Sequence, residues 1–141
     1  GGRRLWVHRK GATRAFPGSR LGGRFAATGQ PVLIPGSMGT ASYLLAGVES
    51  GAETLWSVNH GAGRVMSRTE AAGRRGRGGA ISEHDFEYAM KGIELVAASR
   101  AGALEEAPQA YKDIDAVVEV VAGANLARIV ARMRPLAVLK G

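Results

Sequence analysis

The chain has 141 residues, 45% of them hydrophobic and 22% charged, which suits a single unit over 1–141 with a modest core and is too short for two ordinary domains. Nineteen Lys and Arg against twelve Asp and Glu leave a formal charge of +7, and there is no Cys. Disulfides, thiolate metal sites and Cys nucleophiles are therefore excluded within it.

In chain order, Leu5-Trp6-Val7-His8 reads as a short strand running into the polar, turn-like stretch Arg9 to Arg14. Residues 17–30, with Pro17 and four Gly, read as a loop. Pro31-Val32-Leu33-Ile34 is a buried-strand pattern stopped by Pro35-Gly36. A small-residue loop, Ser37 to Ser42, leads to a strand over Tyr43–Val48 and another over Thr54–Val58. Arg64 to Ala72 is predicted as a helix, and Arg74 to Gly79 as a basic flexible loop. Ser82, followed by Glu83 and Asp85, signals a helix start, with the helix running to about Met90. Ile93–Ala97 reads as a strand. Asp113 is placed to cap a helix carrying the stripe Ile114, Val117, Val118 and Val121. Over Arg128–Val138, helix and strand fit comparably. Strands and helices alternate without a clean βαβ period, so the fold class is α+β, a mixed sheet with packed helices.

No apolar run approaches the roughly 18 residues of a spanning helix, and no signal-peptide pattern opens the chain, which argues against a membrane. The first residue is Gly rather than Met, consistent with a processed piece or one part of a longer protein. Gly supplies 21 residues, twice the usual ~7%. The bases are fifteen Arg and only four Lys. Arg holds phosphate bidentately, so the bias suits an anion-handling surface; a GC-rich genome produces the same bias. Residues 1–48 carry seven bases and no acid, residues 81–125 carry nine acids against three bases, and the last sixteen carry four bases and no acid. Positive groups in turn-rich backbone suit a polyanion.

One constellation stands out. His60-Gly61-Ala62-Gly63-Arg64 lies between a predicted strand and a predicted helix. Its glycines admit close approach of a ligand to backbone amides at the helix start, where an anion is favoured. Arg64 and Arg68, at i+4 and i+8 from His60, would share its face. Neutral imidazole is a competent nucleophile at phosphorus, and two guanidiniums would stabilise the developing charge; the alternative is a capping or core histidine beside surface arginines. The Pro35-Gly36-Ser37-Met38-Gly39-Thr40-Ala41-Ser42 loop offers hydroxyls and glycines to a nucleotide, or simply connects two strands. It is not a P-loop, because no Lys follows at the required spacing. His8 and His84 stand at no metal-ligand spacing, and Glu83-His84-Asp85 reads as surface.

These segments, with Val7 to Arg14, Glu105-Glu106-Ala107-Pro108 before Tyr111-Lys112, and Arg134-Pro135-Leu136 to Lys140-Gly141, resemble the RtcB family of GTP-dependent RNA ligases, in order and over nearly the whole chain. The resemblance implies a fold that is part of the RtcB-type fold. It also implies joining of an RNA 3′-phosphate or 2′,3′-cyclic phosphate end to a 5′-hydroxyl end, as in tRNA splicing and RNA repair. The histidine matching His60 would carry GMP as a phosphoramidate. Ser37, Ser42, Gly61, Ala62 and Gly63 match nucleotide-contacting positions, and Tyr111 and Lys140 match guanine-holding ones. Lys10, Arg64 and Arg68 match bases placed for RNA or GMP phosphates.

Family members are much longer and hold two Mn(2+) ions with upstream Asp, Cys and His. Those positions have no counterpart here, so no metal ligand is assigned. The cofactors implied are GTP and Mn(2+), and the location is cytoplasmic. The partners implied are RNA such as tRNA halves, the upstream portion of the same protein, and an archease-type activator. On this reading the chain is the C-terminal portion of a ligase, with little or no activity by itself. The competing readings are a basic fragment that binds RNA or guanine nucleotide without chemistry, and a remnant whose apolar strands normally pack on an absent portion.

Overall fold

A computed structural model describes residues 4–74 and 77–141. The first strands are β1 (Ala12–Arg14), β2 (Pro31–Pro35), β3 (Ser42–Gly47) and β4 (Ser57–Asn59). The helix α1 (Arg68–Ala72) and the short hairpin β5 (Gly73–Arg74) and β6 (Arg77–Gly78) follow. Then come α2 (Glu83–Ala89), β7 (Glu94–Ala97), α3 (Arg100–Glu105), α4 (Ile114–Gly123), β8 (Ala127–Met133) and β9 (Ala137–Lys140). The class is α+β.

β2, β3 and β8 form an antiparallel sheet with β3 in the centre. β1 pairs with β4 antiparallel, and β7 with β9 parallel. In β2, Val32 and Ile34 are buried while Leu33 is exposed, the period-2 alternation of a sheet covered on one face. The covering element is α4, whose Ile114, Val118 and Val121 join Val32, Ile34 and Leu45 in one hydrophobic cluster. A second cluster gathers Ala71, Ile81, Phe86, Met90, Ala103, Ala107 and Ala110 around α1, α2 and α3. Each fully buried large side chain among these contributes roughly 1.5–3 kcal/mol. Tyr111 packs against both clusters, so it stands at their seam.

Each α-helix starts at a side-chain cap: Ser67, Ser82, Ser99 and Asp113 accept a hydrogen bond from an amide in the first turn. The Ser82 and Asp113 helices stand where the sequence predicts them, with Val117 half-buried beside the buried stripe. Arg128–Val138, ambiguous by pattern, is strand on both sides of a break at residues 134–136: β8 completes the sheet beside β3, and β9 begins at Ala137.

Four expectations are corrected. Leu5–His8 is not a strand; Leu5, Trp6 and Val7 are exposed, and the partner strand β4 pairs instead with Ala12–Arg14. Thr54–Val58 is strand only from Ser57, because Glu49–Thr54 is a 3-10 helix and Leu55 and Trp56 turn back with φ of 54° and 50°. The helix predicted over Arg64–Ala72 begins only at Arg68. Ser67 and Glu70 form a reciprocal capping box that fixes its start, and Arg64 lies in extended backbone bridged to Tyr111. The basic loop 74–79 contains the β5–β6 pairing, with residues 75 and 76 outside the described residues. Helix α3 has no counterpart among the predicted elements.

Candidate functional site

The chain crosses from the first cluster to the second through His60–Arg64. Ala62 is buried in the first cluster, its N–H donating to Pro35 O at 3.0 Å. Lys112 N donates to Gly63 O at 2.9 Å, and Val65 N to Ala110 O at 2.9 Å. These bonds bind the segment to the Pro35 turn on one side and, on the other, to Ala110, which ends the 3-10 helix Pro108–Ala110, and to Lys112. Between them lies an open cleft of about 670 Å³, within the usual range for small-molecule sites. His60, Gly61, Ala62, Gly63, Arg64, Tyr111 and Lys112 line it, with Gly11, Gly36 and Asn59.

His60 is exposed at the end of β4. A methyl group built on Gly11 would lie 3.9 Å from His60 Cδ2 and 4.0 Å from Nε2, so β1 passes directly beside the imidazole. Gly11 and Gly63 have φ of 71° and 77°, a region costly for residues with a Cβ. Asn59 Nδ2 donates to Gly61 O at 2.8 Å, closing the turn around His60. Asn59 Oδ1 is buried in the cleft wall without a hydrogen-bond partner among the described residues, an acceptor left unused.

Arg64 and Arg68 do not share a helix face with His60, since no helix starts at the glycines and Ser67 sets the start of α1. The two arginines meet instead through Glu106. Arg64 donates from Nε to Met66 O at 3.0 Å, from Nη1 to the Tyr111 hydroxyl at 3.2 Å and from Nη2 to Glu105 O at 2.6 Å. Its guanidinium lies 4.9 Å from the Tyr111 ring centroid and 3.4 Å from Glu106 Oε2. Arg68 Nε donates to Glu106 Oε1 at 2.8 Å, and the Tyr111 hydroxyl donates to the same carboxylate. Burial resists ionisation of Glu106, but the hydrogen bonds from Tyr111 and Arg68 and the charge of Arg64 outweigh it, so its carboxyl is held below the usual range. Burial, then the hydrogen bond to Glu106, pushes the Tyr111 hydroxyl up. Glu106, which the sequence reading mentions only as part of a motif, is thus the hub of this wall; its spacing from Tyr111 carries no signal of that role.

The other residues singled out lie elsewhere. Ser37 is tied into its own turn, its N–H donating to Thr40 Oγ1 at 2.7 Å and its Oγ accepting from Gly39 N at 3.3 Å. Ser42 opens β3 opposite Pro35 and Met133. Lys140 ends β9 opposite Ala97, and Lys10 is exposed next to Gly11. Ser37, Ser42, Lys140, Lys10 and Arg68 do not line the His60 cleft. Glu83, His84 and Asp85 are exposed on α2. Among the described residues, no three His, Asp or Glu side chains are placed to hold a metal ion, and no helix is long and apolar enough to cross a membrane.

The model of the family described as tRNA-splicing ligase RtcB matches residues 1–141. The tRNA-splicing ligase RtcB of Pyrococcus furiosus is 56% identical over 138 residues, covering 96% of this chain and 14% of that protein. That of Aeropyrum pernix is 48% identical over 141 residues, covering 99% and 28%. The RNA-splicing ligase RtcB of Mycobacterium tuberculosis is 52% identical over 141 residues, covering 99% and 32%. The chain therefore spans less than a third of the length of each of these relatives. The segments that build the cleft lie within stretches matched throughout by the family model, and on that match the chain belongs to the tRNA-splicing ligase RtcB family.

Proposed function

We propose that the chain is the nucleophile-bearing portion of an RNA ligase that joins RNA 3′-phosphate or 2′,3′-cyclic phosphate ends to 5′-hydroxyl ends. The observation that carries this is the placement of His60, exposed on a glycine turn at the mouth of a cleft large enough for a nucleotide. In this reading a ring nitrogen of His60 attacks the α-phosphorus of GTP, forming a P–N bond as the bond to the pyrophosphate oxygen breaks. GMP then passes to the RNA 3′-phosphate, and the 5′-hydroxyl displaces it. Gly61, Ala62 and Gly63 hold the nucleotide phosphates, and the unused Asn59 Oδ1 fits a ligand donor at the wall. Tyr111 supports the base, its ring fixed by Arg64 and Glu106. Ser37, Ser42 and Lys140 reach the nucleotide, and Lys10, Arg64 and Arg68 reach RNA or GMP phosphates, once the rest of the ligase is in place. The described residues do not fit a manganese pair, so Mn(2+) is assigned to the longer part of the protein. Residues 1–141 act as a single unit, in the cytoplasm, with tRNA halves or broken RNA as substrates and an archease-type protein as activator.

Intact mass after incubation with GTP and Mn(II) tests this, on the chain alone and mixed with the remainder of a full-length relative. One GMP is expected on the chain in the mixture and none on His60→Ala. An adduct that persists in His60→Ala rejects the assignment. A second reading, a basic fragment that binds RNA without chemistry, is favoured by the arginines of residues 4–24, which have no carboxylate partner among the described residues. It predicts salt-sensitive RNA binding and no adduct in either case.

A further inference from the structure

The antiparallel ribbon of β1 and β4 presents His60 and Gly11 at one end. At its other end, opposite Arg14 and Ser57, stands a cluster of arginines and aromatic rings that the ligase chemistry above does not use. We propose that this cluster is a docking platform for single-stranded RNA, on which a base stacks against Arg20 and Trp56 while Arg9 and Arg14 engage the flanking phosphates. It rests on the reading that the chain acts on RNA, and adds where the strand lies.

The Arg20 guanidinium sits 3.8 Å from the Trp56 ring centroid and 5.3 Å from that of Phe16. Arg14 lies 4.7 Å from the Phe16 centroid. The two rings meet edge to face at 5.9 Å, with an interplanar angle of 83°. The turn that carries Trp56 is held in left-handed backbone at Leu55 and Trp56, a conformation side chains seldom adopt. It persists because Trp56 N donates to Gly51 O at 2.7 Å and Leu55 N to Ala52 O at 2.9 Å. Arg9 clamps it from outside, donating to Ser57 Oγ at 2.8 Å and Leu55 O at 3.0 Å.

What marks the cluster as a binding surface is charge without a carboxylate partner set beside ring faces, with Arg9 held by Ser57 and Leu55 and Arg14 Nε donating to Gln30 Oε1 at 3.1 Å. Among the described residues, Arg9, Arg14 and Arg20 form no ion pair, whereas Arg64, Arg68, Arg100 and Arg132 each have a carboxylate. Arg20 is exposed, and its guanidinium makes no hydrogen bond among the described residues. Its N–H groups therefore remain available while the aromatic faces hold its plane. A guanidinium braced on a tryptophan offers both a stacking surface and phosphate donors, the combination that suits an unpaired nucleotide. Only the three residues of β4, Ser57–Asn59, separate Trp56 from His60, so the platform and the imidazole stand at the two ends of one short ribbon.

The test uses the 141-residue chain with Trp6→Phe, so that Trp56 alone reports. A single-stranded RNA decamer ending in a 3′-phosphate is titrated against it, with the same decamer in duplex and poly-glutamate as comparisons. Quenching of Trp56 by the single strand, and binding at least roughly fivefold weaker to the duplex and to poly-glutamate, are expected. Arg20→Lys keeps the charge and removes the planar fork. It should weaken single-strand binding roughly fivefold and leave the salt slope unchanged, whereas Arg14→Gln should lower that slope by about 0.7. Equal affinity for duplex or poly-glutamate, wild-type affinity in Arg20→Lys, or no RNA binding at all each overturns the platform. GMP uptake by His60 is read on the same preparations. Uptake alongside wild-type RNA affinity in Arg20→Lys removes this inference alone, and absent uptake counts against the ligase reading while Arg20→Lys still decides the platform.

Discussion

The arginines of this chain divide into two populations. Around the seam of the two clusters, Arg64 is held by three hydrogen bonds and faces Glu106, which also receives Arg68. At the far end of the β1–β4 ribbon, Arg20 leans on rings and meets no carboxylate among the described residues. A compositional bias toward Arg accounts for both populations equally, so their difference comes from the fold. The first set meets carboxylates and shapes a cleft wall; the second meets none, and although Arg9 and Arg14 donate to neutral protein groups, the Arg20 guanidinium rests on rings alone. Variants that remove members of each set should therefore separate stability from binding.

The largest effect is expected at Arg64. Arg64→Ala strips donors from the Glu105 and Met66 carbonyls and leaves the Glu106 carboxylate, 17% exposed, without the less exposed of its two cations. A loss of about 2–3 kcal/mol in urea unfolding is expected, and a loss under 1 kcal/mol would dissolve the contrast. Next comes Glu106→Gln, which keeps the shape and removes the charge. Because the Glu106 carboxyl is held low in the folded protein, its ionised form stabilises the fold. That contribution is complete above the unfolded value near ~4.3 and is lost as pH falls through the lower folded value. The wild-type unfolding midpoint should accordingly drop more steeply than that of Glu106→Gln below about pH 4. Arg132→Ala should cost less than Arg64→Ala, because its ion pair with Asp115 is exposed to solvent. Smallest for stability is Arg20→Gln, where loss of exposed ring contacts costs under about 1 kcal/mol while RNA affinity falls.

Much of the architecture was legible from local signals. Ser82 and Asp113 announce their helices because a short polar side chain before an apolar stripe satisfies free amides wherever it occurs. β2 reads correctly because its apolar run ends in Pro-Gly, and β3 because its run is continuously apolar, though the predicted end at Val48 lies one residue past the observed Gly47. The overlong helix at Arg64–Ala72 shows where local reading fails. Ser67-x-x-Glu70 is a recognisable capping box, yet the apolar and basic residues before it look equally helical. The bridge from Arg64 to Tyr111, 47 positions away, is what holds Arg64 in extended backbone. Arg128–Val138 was ambiguous for the same reason, since β8 is a strand by virtue of β3 beside it.

The order of motifs along the chain, the family they match and the presence of a histidine on a glycine-rich turn were determined by sequence alone, because they depend on residue identity and short spacing. The neighbours of that histidine were decided only by tertiary structure. Gly11 reaches the imidazole through the β1–β4 pairing, and Glu106 gathers Arg64, Arg68 and Tyr111 across a cluster boundary. Which arginines are spent and which are free is equally invisible in one dimension, since an ion pair needs a carboxylate brought near by chain segments tens of residues apart.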